Sequence, residues 1–261
     1  MIQFQQRELT VFQSVLYQTT TAIIQSRDAV ILTDPNWLPS EVKMIQQFVN
    51  EHIGSRQLYI IFTHSDFDHI LAAGAFPNAI MIASKAFVDR VDKEKVLSEI
   101  RQFDAQYYLS RDYPIVYPEI DVVVEQDGSA LSIGECQLVF YLAPGHTEDG
   151  LMAVVEPFGI LVAGDYLSDV EFPFITDVES YENTLNKARQ LVGKHKVTTL
   201  VPGHGQTTNE RQEIYNRIEE SSEYIVNLKN EVDQQQALKV RYPFYDGLQE
   251  MHEANCKLIK K

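Results

Sequence analysis

Cysteine is nearly missing: Cys136 and Cys256 are the only two in 261 residues. That excludes a disulfide framework and fits a reducing compartment. Basic residues are scarce, with 22 Lys and Arg against 37 Asp and Glu, a net charge of −15. Such a balance argues against a broad surface for nucleic acid or anionic membrane, which would repel it. No apolar run is long enough to span a bilayer, and the opening MIQFQQRELTVFQ lacks the uninterrupted apolar core of a secretory signal. The expectation is a cytoplasmic protein with neither membrane nor nucleic acid as partner. Linkers, low-complexity runs and fixed-period repeats are also absent, so residues 1–261 read as a single domain. No Gly-x-Ser-x-Gly elbow occurs, which leaves no strand-end serine nucleophile of that kind.

What is present alternates between strand and helix patterns. Residues 8–16 and 21–26 read as a strand pair, and Ala29-Val30-Ile31-Leu32-Thr33 as a strand running into Asp34. Pro39-Ser40 opens a helix with Val42, Ile45, Phe48 and Val49 on one face. Strands follow at 58–63 and 79–83, the second capped by Ser84. Val96, Ile100, Phe103 and Tyr107 recur at helical spacing before the loop RDYPIVYPEI, and residues 94–118 are taken as an inserted helix and cover loop. Strands then fall at 121–125, 130–133, 137–142, 151–155 and 160–163. A helix at about 180–193, a strand at 197–201 and a long helix at about 209–236 complete the pattern, the last with Ile214, Ile218, Ile225, Leu228 and Val232 on one face. Two strand-rich halves of similar make-up suit two packed sheets with helices outside. The segment 240–261 is left with two packing options, the cover or a partner subunit in a homo-oligomer.

Chemistry concentrates where strands end. THSDFDH, residues 63–69, offers His64, Asp66, Asp68 and His69 directly after an apolar strand. His146 sits in LAPGHTEDG, Asp165 in LVAGDYLS and His204 in LVPGHGQ, each after another strand. Imidazole and carboxylate are the usual ligands of zinc, iron and manganese. The glycines let the chain turn sharply, so that several such turns can converge at one sheet rim. Any one of these motifs is an ordinary polar loop; four ligand-bearing strand ends in one order point to a metal centre. His52, His195 and His252 lack that setting and are assigned to the surface.

This order of motifs resembles the metallo-β-lactamase superfamily over roughly residues 20–205, including Asp34 at the end of an early strand. The resemblance implies a four-layer αββα sandwich. By position it would assign His64, Asp66 and His146 to a first metal ion, Asp68, His69 and His204 to a second, and Asp165 to a bridge between them. Asp68 and Asp165 become the candidate catalytic residues. The implied cofactors are two divalent transition-metal ions, zinc, iron or manganese, and the implied reaction is hydrolysis of a small-molecule ester, lactone, thioester or phosphoester by a bridging hydroxide. Within the same fold, a di-iron or mononuclear-iron oxidoreductase of the sulfur dioxygenase kind is the alternative, and a non-catalytic metal-containing binding protein a further one.

Asp66 departs from the pattern, which usually has histidine there. A further carboxylate makes the core roughly neutral instead of positive. Such a core favours iron or manganese over zinc and lowers the acidity of bound water less far. Alternatively, the first site is weak and the chain holds a single ion. For substrate contacts, Tyr107 and Tyr108 on the cover and Tyr166 beside Asp165 are the candidates. Tyr113, Tyr117 and the Phe172-Pro173-Phe174 rim are read as packing or as secondary contacts.

Overall fold

The computed structural model describes residues 1–260. The first sheet contains β1 (Ile2–Gln6), β2 (Leu9–Gln13), β3 (Thr20–Gln25), β4 (Ala29–Thr33), β5 (Gln57–Ile61), β6 (Ile80–Ser84) and β7 (Val122–Val124), in that order across the sheet. β1 to β4 pair antiparallel and β4 to β7 parallel. A second sheet holds β8 (Ser129–Ile133), β9 (Cys136–Leu142), β10 (Leu151–Glu156), β11 (Ile160–Val162) and β12 (Thr199–Val201), in the order β12-β11-β10-β9-β8. Only β11 and β12 run parallel there.

Strand composition explains the layering. All five residues of β4 are buried, as are all three of β11, because both faces of each strand are covered. Ile31, Ile61 and Ile82 of the first sheet meet Leu138, Phe140, Ala153 and Val162 of the second in the core between the sheets. On the outer face of the first sheet, Leu32, Ile60 and Phe62 pack on Val42, Ile45 and Val49 of α1 (Pro39–Ile53). On the outer face of the second, Val154, Leu161 and Leu200 pack on α5 (Val178–Lys194) and α6 (Arg211–Lys229). The result is the expected αββα sandwich.

After β5 comes the short α2 (Phe67–Ile70), and after β6 the helix α3 (Lys85–Asp89), capped as expected by Ser84, whose side chain accepts from the Phe87 N–H. The cover consists of α4 (Lys93–Gln106) and the irregular stretch after it. It is anchored by a buried bidentate pair, with Arg111 donating to both carboxylate oxygens of Asp104 at 2.8 Å. Breaking a buried pair of this kind costs about 3–5 kcal/mol. Arg111 also donates to the Trp37 carbonyl at 2.8 Å, which ties the cover to the end of β4.

Three expectations need correction. β1 falls outside the expected strands: IQFQQ alternates Ile2 and Phe4 with glutamine over only a few residues, and as an edge strand it has no fully buried residue. The long C-terminal helix stops at Lys229, where the chain turns through Glu231 at φ 54; Val232 therefore lies beyond the helix and is half-exposed instead of on its buried face. α7 (Gln235–Arg241) and α8 (Tyr245–Ile259) follow, and α8 packs on α6 rather than on the cover. Among the described residues no helix is long and apolar enough to cross a membrane.

Candidate metal centre

The two sheets meet at one rim. Thr20 N–H donates to the Gly203 carbonyl at 2.7 Å and Leu151 N–H to the Thr63 carbonyl at 2.7 Å. These links bring the turn after β5 beside the turns after β9, β11 and β12. The turns must be tight: a Cβ on Gly203 would overlap the Asp165 carboxylate, and Gly145 (φ 125) lies against the Tyr181 backbone.

Seven side chains converge there. His64, Asp66 and His146 place one ligand atom each within 4.8 Å of one another, and so do Asp68, His69 and His204. Asp165 stands between the two groups. Its Oδ2 lies 3.6 Å from His64 Nε2, 3.2 Å from His146 Nε2 and 3.3 Å from His204 Nε2, while its Oδ1 lies 3.1 Å from His69 Nε2. Asp66 Oδ2 is 3.7 Å from His64 Nε2 and 3.5 Å from His146 Nε2; Asp68 Oδ2 is 3.6 Å from His69 Nε2 and 3.5 Å from His204 Nε2.

The outward nitrogen of every imidazole is spoken for. His146 Nδ1–H donates to the Phe174 carbonyl at 3.0 Å, and His204 Nδ1–H to the Tyr17 carbonyl at 2.8 Å. Asp34 is the hub for the other two. Its Oδ2 accepts from His69 Nδ1 at 3.1 Å and from the Thr63 hydroxyl at 2.6 Å, and its Oδ1 from the Thr63 N–H at 2.8 Å. With its proton given to Asp34, the Thr63 oxygen accepts from His64 Nδ1 at 3.1 Å. All four Nε2 atoms therefore face the centre. Those of His64, His69 and His146, together with Asp165 Oδ1, are buried without a hydrogen-bond partner. Buried polar atoms without partners are rare and costly. Four of them aimed at one point fit a cation, with the orientation that outer hydrogen bonds give to metal-binding imidazoles.

Electrostatics agree. Burial works against charge on His69 and His146, yet Asp165 with Asp68 at His69, and Asp165 with Asp66 at His146, outweigh it and hold both imidazoles well above their usual pKa. His204 is opposed by burial but carried up to about 10 by Glu171 and Asp165. His64 moves down, through burial and its neighbour His69. Burial opposes ionisation of Asp165 and Asp66, but the facing histidines keep both well below the ordinary carboxylate range. The carboxylates that hold protons on these imidazoles would hold divalent cations in their place.

Several supports carried no mark in the sequence. Asp149, in the His146 loop, accepts from the Ser65 N–H at 3.0 Å and from the Ser65 hydroxyl, which fixes the chain between His64 and Asp66. Asn36 donates to the Asp68 carbonyl at 3.0 Å. Arg90 donates to the Ser65 carbonyl at 3.2 Å and lies 3.9 Å from Asp66 Oδ1. Glu171, 3.9 Å from His204 Nδ1, is pushed by burial and by Asp165 and Asp68 up to about 6.

The three tyrosine candidates separate. Tyr107 and Tyr108 are exposed at the end of α4, Tyr107 packing on Phe103 at 4.7 Å. Tyr166 instead points inward: it is buried against Tyr181, and its hydroxyl accepts from the His146 N–H at 3.0 Å and donates to the Pro144 carbonyl at 2.8 Å. That is a support for the His146 loop rather than a place for substrate. Tyr113 and Tyr117 pack within the cover, with Tyr117 donating to the Phe87 carbonyl at 2.9 Å. Of the histidines assigned to the surface only His52 is exposed. His252 is buried against Tyr224, and His195 is held between Tyr141 and Glu156.

The family model described as "Metallo-beta-lactamase superfamily" matches residues 15–204. The chain belongs to this superfamily. Among characterised proteins it is similar to the acyl-coenzyme A thioesterase MBLAC2 of Bos taurus and of Homo sapiens, each 23% identical over 182 residues, which is 66% of this chain and 65% of the relative. The match thus spans just under two thirds of those relatives. Among solved structures, the inverting sec-alkylsulfatase Pisa1 from Pseudomonas sp. superposes with a TM-score of 0.68 at 12% identity, covering 87% of this chain and 42% of that one. A metallo-beta-lactamase family protein from Thermus thermophilus gives 0.63 at 18% identity, over 85% and 80% of the two chains. At such identities the structures show a shared fold and leave the reaction open.

Proposed function

We propose that this superfamily member is a metal-dependent hydrolase that uses a dinuclear centre to cleave an acyl ester or thioester. The observation that carries this reading is the position of Asp165, within 3.1–3.6 Å of an Nε2 atom from each of the four histidines. A carboxylate shared by two three-ligand groups is what a pair of adjacent ions requires. His64, Asp66 and His146 would hold one ion and Asp68, His69 and His204 the other. When bound, the two ions supply Lewis acidity for the substrate oxygen and lower the pKa of the attacking water.

The chain's own groups do the rest. Asp34, Thr63, Tyr17 and Phe174 fix the four imidazoles in one tautomer, so that little rearrangement accompanies reaction. The Asp68 carboxylate, only slightly exposed, is placed to take a proton from attacking water. Water adds to the acyl carbon, the carbon–sulfur or carbon–oxygen bond breaks, and the leaving thiolate or alkoxide is protonated. The thioester is favoured within this class by the similarity to a protein named an acyl-coenzyme A thioesterase.

A panel of acyl thioesters, aryl esters, lactones and phosphodiesters, offered to the manganese- or zinc-loaded protein, tests this reading. We expect thiol release matched by acid formation, with no oxygen consumed. Turnover of phosphodiesters alone would remove the acyl assignment and leave the hydrolase. Inactivity on the whole panel, with oxygen uptake on a persulfide, would replace the hydrolase by the dioxygenase.

A further inference from the structure

His146 reaches the centre from the loop after β9, and the hydrogen bond on its outward nitrogen, Nδ1–H to the Phe174 carbonyl, orients the ring. That carbonyl belongs to a stretch without regular structure, so something must hold it. Asn255 of α8 does so from both sides. Its amide donates to the Pro173 carbonyl at 2.6 Å, and its Oδ1 accepts from the Ile175 N–H at 3.1 Å. The second amide hydrogen goes to the Tyr224 hydroxyl at 2.9 Å, which also meets His252 Nδ1 at 2.9 Å. Asn255 is 1% exposed, and both donor hydrogens and its acceptor are engaged. On the same stretch, Phe172 is enclosed by Tyr224, Tyr242 and Tyr245, with ring centroids 5.3–6.1 Å away. All of these supports come from α6 to α8, beyond residue 204, where the family match ends.

We propose that Asn255 is a positioning residue for the first metal group, setting the His146 imidazole through the Phe174 carbonyl. The inference rests on the reading of His146 as a ligand. The clamp needs a donor for Pro173 and an acceptor for Ile175 at once, and the Asn255 amide supplies both from one side chain. Leucine would leave both backbone groups buried and unpaired, whereas aspartate keeps the acceptor but faces the Pro173 carbonyl with negative charge. The second group has other anchors, since His69 is held by Asp34 and His204 by Tyr17. Loss of the clamp should therefore weaken one ion and spare the other, by the roughly 10–100-fold typical of losing an outer support of a ligand.

The test is cobalt(II) titration against a competing chelator, followed by the visible spectrum, for the parent, Asn255→Leu, Asn255→Asp and Leu258→Ala. Leu258→Ala removes packing from the same helix and no hydrogen bond, so it should lower Tm while both ions bind as in the parent. Asn255→Leu should lose affinity for one ion only and change that ion's spectrum, with Asn255→Asp between it and the parent. If Asn255→Leu does not fold, Asn255→Asp decides on the same readout. Parental affinity and spectrum in a folded Asn255 variant would reduce Asn255 to packing. A parent that binds no cobalt would overturn the metal reading first and this proposal with it.

Discussion

The two three-ligand groups share a rim but differ in how they are held. In the second, the side chains of His69, His204 and Asp68 retain 0%, 5% and 12% exposure, and Asp34, Tyr17 and Asn36 brace them. In the first, Asp66 keeps 41% of its side chain exposed, and the nearest cation, Arg90, is 3.9 Å away. The second group is buried and braced on every ligand; the first is closed on one side by a carboxylate that is partly exposed to solvent. Pre-organisation of ligands lowers the cost of binding. The second group should therefore bind tighter, and the first should be the exchangeable position.

The largest effect is expected from Asp165→Ala, which removes the one carboxylate common to both groups. It should retain less than one ion per chain and lose nearly all turnover, as read by elemental analysis and initial rates. Asp34→Asn comes next. It weakens the acceptor that holds His69 directly and His64 through Thr63, and should cost the second ion about 10–100-fold in affinity in a chelator competition and the first ion less. A loss confined to the first ion would reverse the comparison.

Why the ligands were so readable while their supports were not follows from where the information lies. His64, Asp66, Asp68 and His69 sit within six residues after an apolar strand, and His146, Asp165 and His204 each follow another strand, so side-chain identity and strand position mark them as one candidate centre, and the family resemblance supplies their division into two groups. The sandwich was readable for the same reason: strands such as AVILT are buried on both faces, and Val42, Ile45 and Val49 mark one side of a helix. The braces are different. Tyr17 and Phe174 act through backbone carbonyls, which any residue possesses, and Asn255 acts from a helix some eighty residues further along. The edge strand β1 offers an apolar alternation only a few residues long, and the apolar spacing of the long helix runs on to Val232, past the break at Asn230. Tyr166 misled because adjacency to Asp165 in sequence says nothing about which way a side chain turns.

Asp66→His should have a moderate effect. It raises the net charge of the first group by one, moves relative affinity toward zinc, and shifts the basic limb of the pH–rate profile to lower pH. No shift in either quantity would mean that the charge of Asp66 is not felt at the centre.

The smallest expected effect is on the stability of metal-free protein. His69, His146 and His204 have folded pKa values above the unfolded value of about 6.5. Their contribution is fully present below pH about 6.5 and is lost as pH rises through the folded values, for His204 about 10. Asp165 and Asp66 behave oppositely, with stability lost as pH falls below about 4. Chelator-treated protein should therefore show a falling Tm between pH of about 6.5 and about 9.5. A flat profile there would mean that the imidazoles of His69, His146 and His204 are not held among carboxylates as described.

The most direct test of a two-ion centre with an open first group is the metal content of the parent and of Asp66→Ala, purified side by side without added metal and then titrated with manganese. The account predicts close to two ions in the parent, with iron or manganese well represented, and close to one in Asp66→Ala, because His64 and His146 alone hold the first ion poorly while Asp68, His69, His204 and Asp165 keep the second. A parent that never exceeds one ion on titration would contradict the dinuclear centre, and two ions retained in Asp66→Ala would show that Asp66 is not a ligand.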